Sequence, residues 1–333
     1  MAELRRDPVI GQWVVVASDK ESLTPVAYER ISGTATQKKI CQFCPGRESY
    51  TPPEIDACRS DKKAVNHRGW SARVVPNKFP ALRIEGQLEK RGMGLYDMSN
   101  GVGAHEIVIE TAEHDLDLPD LAVKEIADVL RLYQRRASGL AQDPRFKYIM
   151  IFKNHGEAAG ASVEHAHSQI IALPMVPKLV LAEMEGVRHY SRFRERCLFC
   201  DIIEQEYDEE ERIIIQNDRF LNFCPFVPRF PFEHWIMPKE HRTDFFAISD
   251  TDVTALAEIL KEALTRMKKC LKCAYNFYIH TAPIGLPGRD QYHWHIEIVP
   301  QLVRGKGYEW GTGLYQVPTS PAVAAGYLRD VDV

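Results

Sequence analysis

The same order of apolar and polar segments occurs twice along this chain, and we call each occurrence a round. Each round begins with a short apolar run, residues 107–109 and 235–237, and continues into a stretch whose apolar residues recur at helical spacing. Each helical stretch predicts an amphipathic helix that packs one face against a sheet. The residues on these two predicted apolar faces are Leu121, Ile126, Val129, Leu130 and Tyr133 in the first round, and Val253, Leu256, Leu260, Leu264 and Met267 in the second.

Strand patterns follow both predicted helices. Residues 148–153 and 275–281 are rich in aromatic side chains, and a glycine-bearing loop follows each. Each round ends in a further strand, residues 165–171 and 293–299, in which alternate side chains share a face. We therefore predict an α+β fold made of two similar halves related by a pseudo-twofold axis, with domains at 1–188 and 189–333.

Composition and charge narrow the function classes. The 333 residues are 45% hydrophobic and 26% charged, which is typical of a globular protein. The 42 basic and 46 acidic residues give a net charge of −4, so no overall basic field favours nucleic acid or an anionic membrane surface. Near the N-terminus the apolar run at 13–17 is too short for a signal peptide or a membrane span. We expect a cytoplasmic protein.

Cysteine and histidine recur in register in the two halves. Each half has a C-x-x-C pair in similar local sequence, and two histidines follow it, 51 residues apart in the first half and 52 in the second. A third pair, Cys270 and Cys273, lacks such histidines. Two thiolates and two imidazoles form the tetrahedral set that structural zinc prefers, with no position open for water. The alternative is that these thiols pack as small apolar groups. The predicted ligands of two structural zinc ions are Cys41, Cys44, His114 and His165, and Cys197, Cys200, His241 and His293.

The strand that ends the first half carries the strongest catalytic signal. His165, His167 and Gln169 share one face by period 2, so His167 would lie beside a metal-held neighbour. A neutral imidazole is a nucleophile near pH 7. The preceding small-residue loop has amides that could approach phosphate oxygens, near Asn154 and Ser162. Gln169 would add a neutral donor.

A family resemblance becomes specific at these residues. The segments at 4–17, 74–82, 152–162 and 231–241 and the motif H-x-H-x-Q at 165–169 resemble the galactose-1-phosphate uridylyltransferase family, the transferase branch of the histidine triad superfamily. The resemblance implies two histidine-triad-like domains, each with antiparallel strands and packed helices, and a homodimer. It implies a covalent nucleotidyl group on His167, zinc at the first Cys2His2 set, and nucleotide contacts from Asn77, Asn154, Ser162 and Gln169.

The resemblance implies a ping-pong reaction on a nucleotide sugar and a sugar phosphate. His167 would attack the α-phosphorus, and a hexose 1-phosphate would leave as a stable anion that needs no general acid, which suits Gln169. Our main hypothesis is a UDP-glucose:hexose-1-phosphate uridylyltransferase. In it, Gln169 and Lys153 would stabilise the negative charge on the phosphate. The second Cys2His2 set resembles more closely the branch that contains plant ADP-glucose phosphorylase, so adenylyl transfer to phosphate is the alternative.

The second half repeats the catalytic motif in altered form. His295 and Glu297 stand where the first half has His167 and Gln169, which predicts one working and one degenerate site. The resemblance implies a further metal site at Glu183, His280 and His295, with Glu297 in place of its last histidine. Two other classes remain open: a zinc-stabilised nucleic-acid-binding protein, which the ligand spacing and the charge disfavour, and a nucleotide sensor without catalysis.

Overall fold

The computed structural model describes residues 2–28, 40–61, 64–303, 305 and 307–333. Its strands are β1 (Glu3–Arg6), β2 (Trp13–Val16), β3 (Asp56–Arg59), β4 (Trp70–Pro76), β5 (Arg91–Met93), β6 (Tyr96–Met98), β7 (Ala104–Ile109), β8 (Tyr148–His155), β9 (His167–Leu173), β10 (Ile213–Gln216), β11 (Phe220–Phe223), β12 (His234–Pro238), β13 (Tyr275–His280), β14 (His295–Pro300) and β15 (Tyr315–Val317). Its α-helices are α1 (Val123–Leu140), α2 (Lys178–Arg194), α3 (Leu198–Glu209), α4 (Asp250–Leu271), α5 (Gly307–Thr312) and α6 (Pro321–Arg329).

Ten strands form one antiparallel sheet that runs through both halves. Its order is β3, β4, β7, β9, β8, β13, β14, β12, β11, β10, so the second half repeats the strand order of the first in reverse. The halves join where β8 pairs with β13, from Ile151 opposite Ile279 to His155 opposite Tyr275. The palindromic order confirms the internal duplication and the α+β class. It also shows that the two halves share one sheet.

The two long helices cover one face of this sheet. The apolar residues predicted for them are all buried, and α1 and α4 contribute to the same core as strands from both halves. Helix α4 begins at a capping box in which the Ser249 hydroxyl accepts a hydrogen bond from the backbone N–H of Asp252. Leu121 differs from the prediction because α1 begins at Val123, so Leu121 packs from the turn before the helix.

The opposite face of the sheet differs between the halves. In the second half, α2, α3 and the N-terminal segment cover it, and the apolar side chains of β11 and β12 form a second core there. Helix α2 approaches the N-terminal segment closely at Gly186, where an added Cβ would lie 1.7 Å from the carbonyl oxygen of Val9. The predicted domain boundary at residue 188 falls within α2. Among the described helices, none combines the length and apolar composition needed to cross a bilayer.

Two predicted strands begin later than expected. The strand expected at residue 165 begins at His167, and the strand expected at 293 begins at His295. Pairing of β9 with β7 ends where His167 lies opposite Ile109. His165 is therefore outside the ladder, and its ring turns toward the first cysteine pair.

Candidate active site and metal clusters

His167 is the first residue of β9, on the sheet face that α1 does not cover. Its Nδ1 lies 2.8 Å from the carbonyl oxygen of His165. Because a carbonyl only accepts, Nδ1 carries the proton and the lone pair is on Nε2. Burial lowers the pKa of His167 to about 4, so the imidazole is neutral at pH 7. The ring of Phe43 contacts it edge-on at 5.4 Å between centroids.

Three side-chain amides belong to the same region. Gln169 lies on β9 two residues after His167, and its Oε1 is 2.7 Å from Nε2 of His105. Asn77 follows β4, and its Nδ2 is 3.2 Å from that same Nε2. Asn154 lies on β8 and accepts a hydrogen bond from Asn276. Gln169 and Asn77 thus meet at the His105 ring, and Asn154 lies on β8, the strand that pairs with β9.

Ser162 is the exception among the predicted contacts. It is exposed on the loop between β8 and β9 and makes no hydrogen bond to these amides within the described part of the chain. The loop itself depends on glycine at Gly156, where φ is +82° and an added Cβ would lie 2.8 Å from Cβ of Ala274.

The expectation that Lys153 meets charge on the phosphate is wrong. Along β8 the side chains alternate, and Lys153 points to the face covered by α1, while Asn154 points to the other face. Lys153 Nζ lies 2.6 Å from Glu110 Oε2 and 3.0 Å from Asp117 Oδ1, and donates to the carbonyl oxygen of His167 at 3.4 Å. Its ammonium therefore lies beneath β9, on the helix side of the sheet.

The residues around Lys153 form a closed buried network. The Tyr133 hydroxyl donates to Glu110 Oε1 at 3.1 Å and lies 2.6 Å from the Ser168 hydroxyl. Burial disfavours ionised Asp117, but the positive charges of Lys153 and His155 outweigh it and hold the pKa of Asp117 at about 2. The backbone carbonyl of His167 and the side chain of Ser168 are thus both held by this network on the helix side of the sheet.

The first predicted zinc ligands come together. Sγ of Cys44 lies 3.4 Å from Nδ1 of His114 and 3.7 Å from Nδ1 of His165, and Sγ of Cys41 lies 3.7 Å from that same Nδ1. Tetrahedral zinc bonds of about 2.3 Å to sulfur and about 2.05 Å to nitrogen separate S and N by about 3.6 Å. Nε2 of His165 faces the carbonyl oxygen of Thr111 at 2.8 Å, which turns Nδ1 toward the thiols.

The second set repeats this geometry. Sγ of Cys200 lies 3.7 Å from Nδ1 of His241 and 3.6 Å from Nδ1 of His293, and Sγ of Cys197 lies 4.0 Å from the latter. Both Nε2 atoms face backbone carbonyls, that of Asp290 at 2.9 Å and that of Pro238 at 2.9 Å. Both four-residue groups can hold a metal ion. The donor chemistry and spacing are those of structural zinc.

In the second half, the surroundings of His295, the counterpart of His167, are different. The His295 ring is stacked between Trp235, at 5.1 Å, and His280, at 5.0 Å. Strand register pairs Trp235 with Glu297 as Ile107 pairs with Gln169, so larger rings replace smaller side chains. These rings fill the space beside the imidazole.

The same region holds a buried charge cluster. Arg229 contacts Glu297, lies 3.4 Å from Glu233 and donates to the Tyr278 hydroxyl at 2.7 Å. The ligand atoms of His280, His295 and Glu297 lie within 4.8 Å of one another, close enough to hold a cation.

Glu183 supports that cluster from α2. His280 Nδ1 donates to Glu183 Oε2 at 3.0 Å, and the Tyr292 hydroxyl donates to the same oxygen at 2.5 Å. Arg229 already neutralises part of the charge on Glu297. A metal ion bound here would contact His280, His295 and Glu297, and Glu183 would accept the hydrogen bond from His280 behind it.

Two residues that no sequence pattern indicated touch the predicted contacts, His105 and Asn276. Neither is part of the H-x-H-x-Q or cysteine–histidine motifs, and only the strand pairing brings them to Gln169 and Asn154. A cavity of about 650 Å³ lies elsewhere, in the second half, where Tyr190, Ile202 and Trp235 line it. That cavity includes neither His167 nor Gln169. The candidate site is therefore identified by its hydrogen bonds and not by this cavity.

Comparison with known proteins covers nearly the whole chain. The chain is 34% identical to ADP-glucose phosphorylase of Arabidopsis thaliana, across 99% of this chain and 93% of the relative. It is 27% identical to galactose-1-phosphate uridylyltransferase of Thermotoga maritima, across 100% of this chain and 99% of the relative. The crystal structure of the Arabidopsis phosphorylase with bound ADP-glucose superposes with a TM-score of 0.83, at 32% identity, and covers all of both chains.

Family models match both halves. Residues 1–177 match the N-terminal domain of galactose-1-phosphate uridyl transferase, and residues 183–308 match its C-terminal domain. The resemblance drawn from the H-x-H-x-Q motif is confirmed. This chain belongs to the galactose-1-phosphate uridyl transferase family.

Proposed function

We propose that the protein is a nucleotidyltransferase whose His167 carries the nucleotidyl group between a nucleotide sugar and a phosphate-bearing acceptor. The observation that carries this proposal is the state of His167, a buried neutral imidazole with its proton held on Nδ1 and its Nε2 lone pair available. Amide donors from Gln169, Asn77 and Asn154 lie on the strands around it. Family membership supports the same chemistry.

The chain's own residues account for each step. His167 Nε2 attacks the α-phosphorus, the bond to the leaving sugar phosphate breaks, and a second phosphate-bearing molecule then takes the group from the histidine. Because the leaving group departs as a phosphate anion, no side chain has to protonate it. Gln169 and Asn154 would donate N–H groups to the phosphate oxygens as their charge grows. The two Cys2His2 groups would hold structural zinc and fix the residues beside the catalytic strand.

UDP-glucose as donor and a hexose 1-phosphate as acceptor are our first substrates, because galactose-1-phosphate uridylyltransferase is the activity named for several relatives. ADP-glucose with inorganic phosphate is the second candidate. The specific observation in its favour is the higher identity to the Arabidopsis phosphorylase, 34% against 27%. A homodimer in the cytoplasm remains a prediction.

The test is intact-mass and peptide mass spectrometry after mixing the protein separately with UDP-glucose and ADP-glucose. A uridylyl or adenylyl adduct on His167 identifies the donor, and the His167→Ala variant should form neither. The adduct is then isolated and offered galactose 1-phosphate or inorganic phosphate, and release of the nucleotide product identifies the acceptor. Binding of both nucleotide sugars without any adduct would contradict the proposal and favour a sensor.

A further inference from the structure

The orientation of the Gln169 amide is set by a residue outside the family motif. The backbone N–H of Ala81 donates to Nδ1 of His105 at 3.1 Å, so Nδ1 is the acceptor nitrogen of that ring. The proton of the neutral imidazole is then on Nε2, which lies 2.7 Å from Oε1 of Gln169. His105 donates and the Gln169 carbonyl accepts.

Asn77 is a second amide beside the same imidazole nitrogen. Its Oδ1 accepts a hydrogen bond from the backbone N–H of Phe79 at 2.9 Å, so its Nδ2 is the atom 3.2 Å from Nε2 of His105. Because the bond from Ala81 leaves Nδ1 unprotonated, the imidazole proton is on Nε2 and Gln169 Oε1 accepts it, while the Asn77 amide lies beside Nε2 without donating to it. With its oxygen engaged, Gln169 has its NH2 group left for a ligand.

Asn154 is fixed in the same way from the second half of the chain. Asn276 on β13 donates from Nδ2 to Oδ1 of Asn154 at 2.8 Å and to the carbonyl oxygen of Ala159 at 2.8 Å. Gln301 donates to Oδ1 of Asn276 at 2.7 Å, which determines which end of Asn276 is the donor. Asn154 therefore also has its NH2 group left for a ligand.

We propose that His105 and Asn276 are positioning residues that hold the amides of Gln169 and Asn154 with their N–H groups toward the transferring phosphate. The inference deepens the proposed function and rests on it. An amide that rotates freely presents its carbonyl oxygen to the phosphate part of the time, where it repels the anion. Donors fixed before the reaction stabilise the developing charge without reorganisation. The degenerate half would thus supply a residue to the working site.

The test for His105 compares the rate of His167 nucleotidylation in four proteins. His105→Phe keeps an aromatic ring and removes the donor, and we expect a 10- to 100-fold lower rate with a smaller change in KM. His105→Gln restores a donor and should recover part of the loss. His189→Phe, which removes an exposed histidine on α2, is the matched control and should react like the wild type.

A double-mutant cycle separates positioning from general packing. In a Gln169→Leu background, His105→Phe should cause little further loss, because its effect passes through the Gln169 amide. Equal losses in both backgrounds, or wild-type rates in His105→Phe alone, would overturn the proposal for His105.

Asn276 is tested by Asn276→Asp, a substitution of nearly the same shape that cannot donate. We expect a lower nucleotidylation rate in the wild-type background and little further loss when Asn154 is already alanine. Additive losses would show that Asn276 acts only through folding.

A measurement without catalysis keeps the two proposals distinguishable. If the wild-type protein forms no adduct with either nucleotide sugar, the proposed function fails. Nitrogen-15 NMR of labelled histidine then reads the His105 tautomer directly. Protonation of Nε2 supports the hydrogen bond to Gln169, and protonation of Nδ1 overturns it.

Discussion

Replacing Lys153 by methionine should destabilise the protein strongly, because the ammonium group of Lys153 forms ion pairs with two buried carboxylates. Its Nζ lies 2.6 Å from Glu110 and 3.0 Å from Asp117, and the Lys153 side chain is 1% exposed. At an effective dielectric constant of about 20, each contact corresponds to an attraction of about 6 kcal/mol, most of which offsets the cost of burying the charges. Removing the cation leaves that cost uncompensated. We expect a loss of about 3–5 kcal/mol in the free energy of unfolding.

Urea unfolding followed by tryptophan fluorescence measures this loss. Methionine has a similar length and fills the same volume, so the result reports charge more than packing. A triple variant, Lys153→Met with Glu110→Gln and Asp117→Asn, removes the stranded charges and should recover much of the stability. A loss below about 1 kcal/mol in the single variant would refute the reasoning, because it would mean that the two carboxylates do not depend on the ammonium.

Three further predictions test the metal clusters, the degenerate half and the contact of α2 with the N-terminal segment. Metal analysis of the purified protein should give about two zinc ions per chain, and Cys44→Ser and Cys200→Ser should each lower this to about one; a value near zero in the folded wild type would refute both sites. Arg229→Met strands two buried carboxylates and should cost about 3–5 kcal/mol in urea unfolding, whereas unchanged stability would show that another cation meets their charge. Gly186→Ala should lower the melting temperature despite the helix propensity of alanine, while Gly326→Ala in α6, where an added Cβ meets nothing within 4 Å, should raise it or leave it unchanged.

The two halves differ around the two equivalent histidines, His167 and His295. Both retain a histidine whose Nδ1 faces the carbonyl oxygen two residues earlier, His167 at 2.8 Å and His295 at 3.1 Å. Around His295, aromatic rings and an arginine–glutamate pair occupy the region where the first half places amides. Retention of the backbone geometry with loss of the amide donors supports our proposal of one working site per chain.

Much of the fold and of the candidate sites could be predicted from the spacing of residues along the sequence. The duplication, the two amphipathic helices and both cysteine–histidine sets were predicted because periodicity and matched intervals are properties of the chain itself. His167 and Gln169 were predicted as site residues because they lie two residues apart on one strand. Family membership followed from the same motif.

Which side chains contact one another across neighbouring strands could be seen only in the tertiary structure. Sequence alternation shows that Lys153 and Asn154 lie on opposite faces, but the covering of one face by α1 determined which of them reaches the site. His105 and Asn276 contact Gln169 and Asn154 because of strand register, which joins residues 64 and 122 positions apart. Amide orientation is set by donors on neighbouring strands. No local pattern contains that information, since it arises when the sheet pairs.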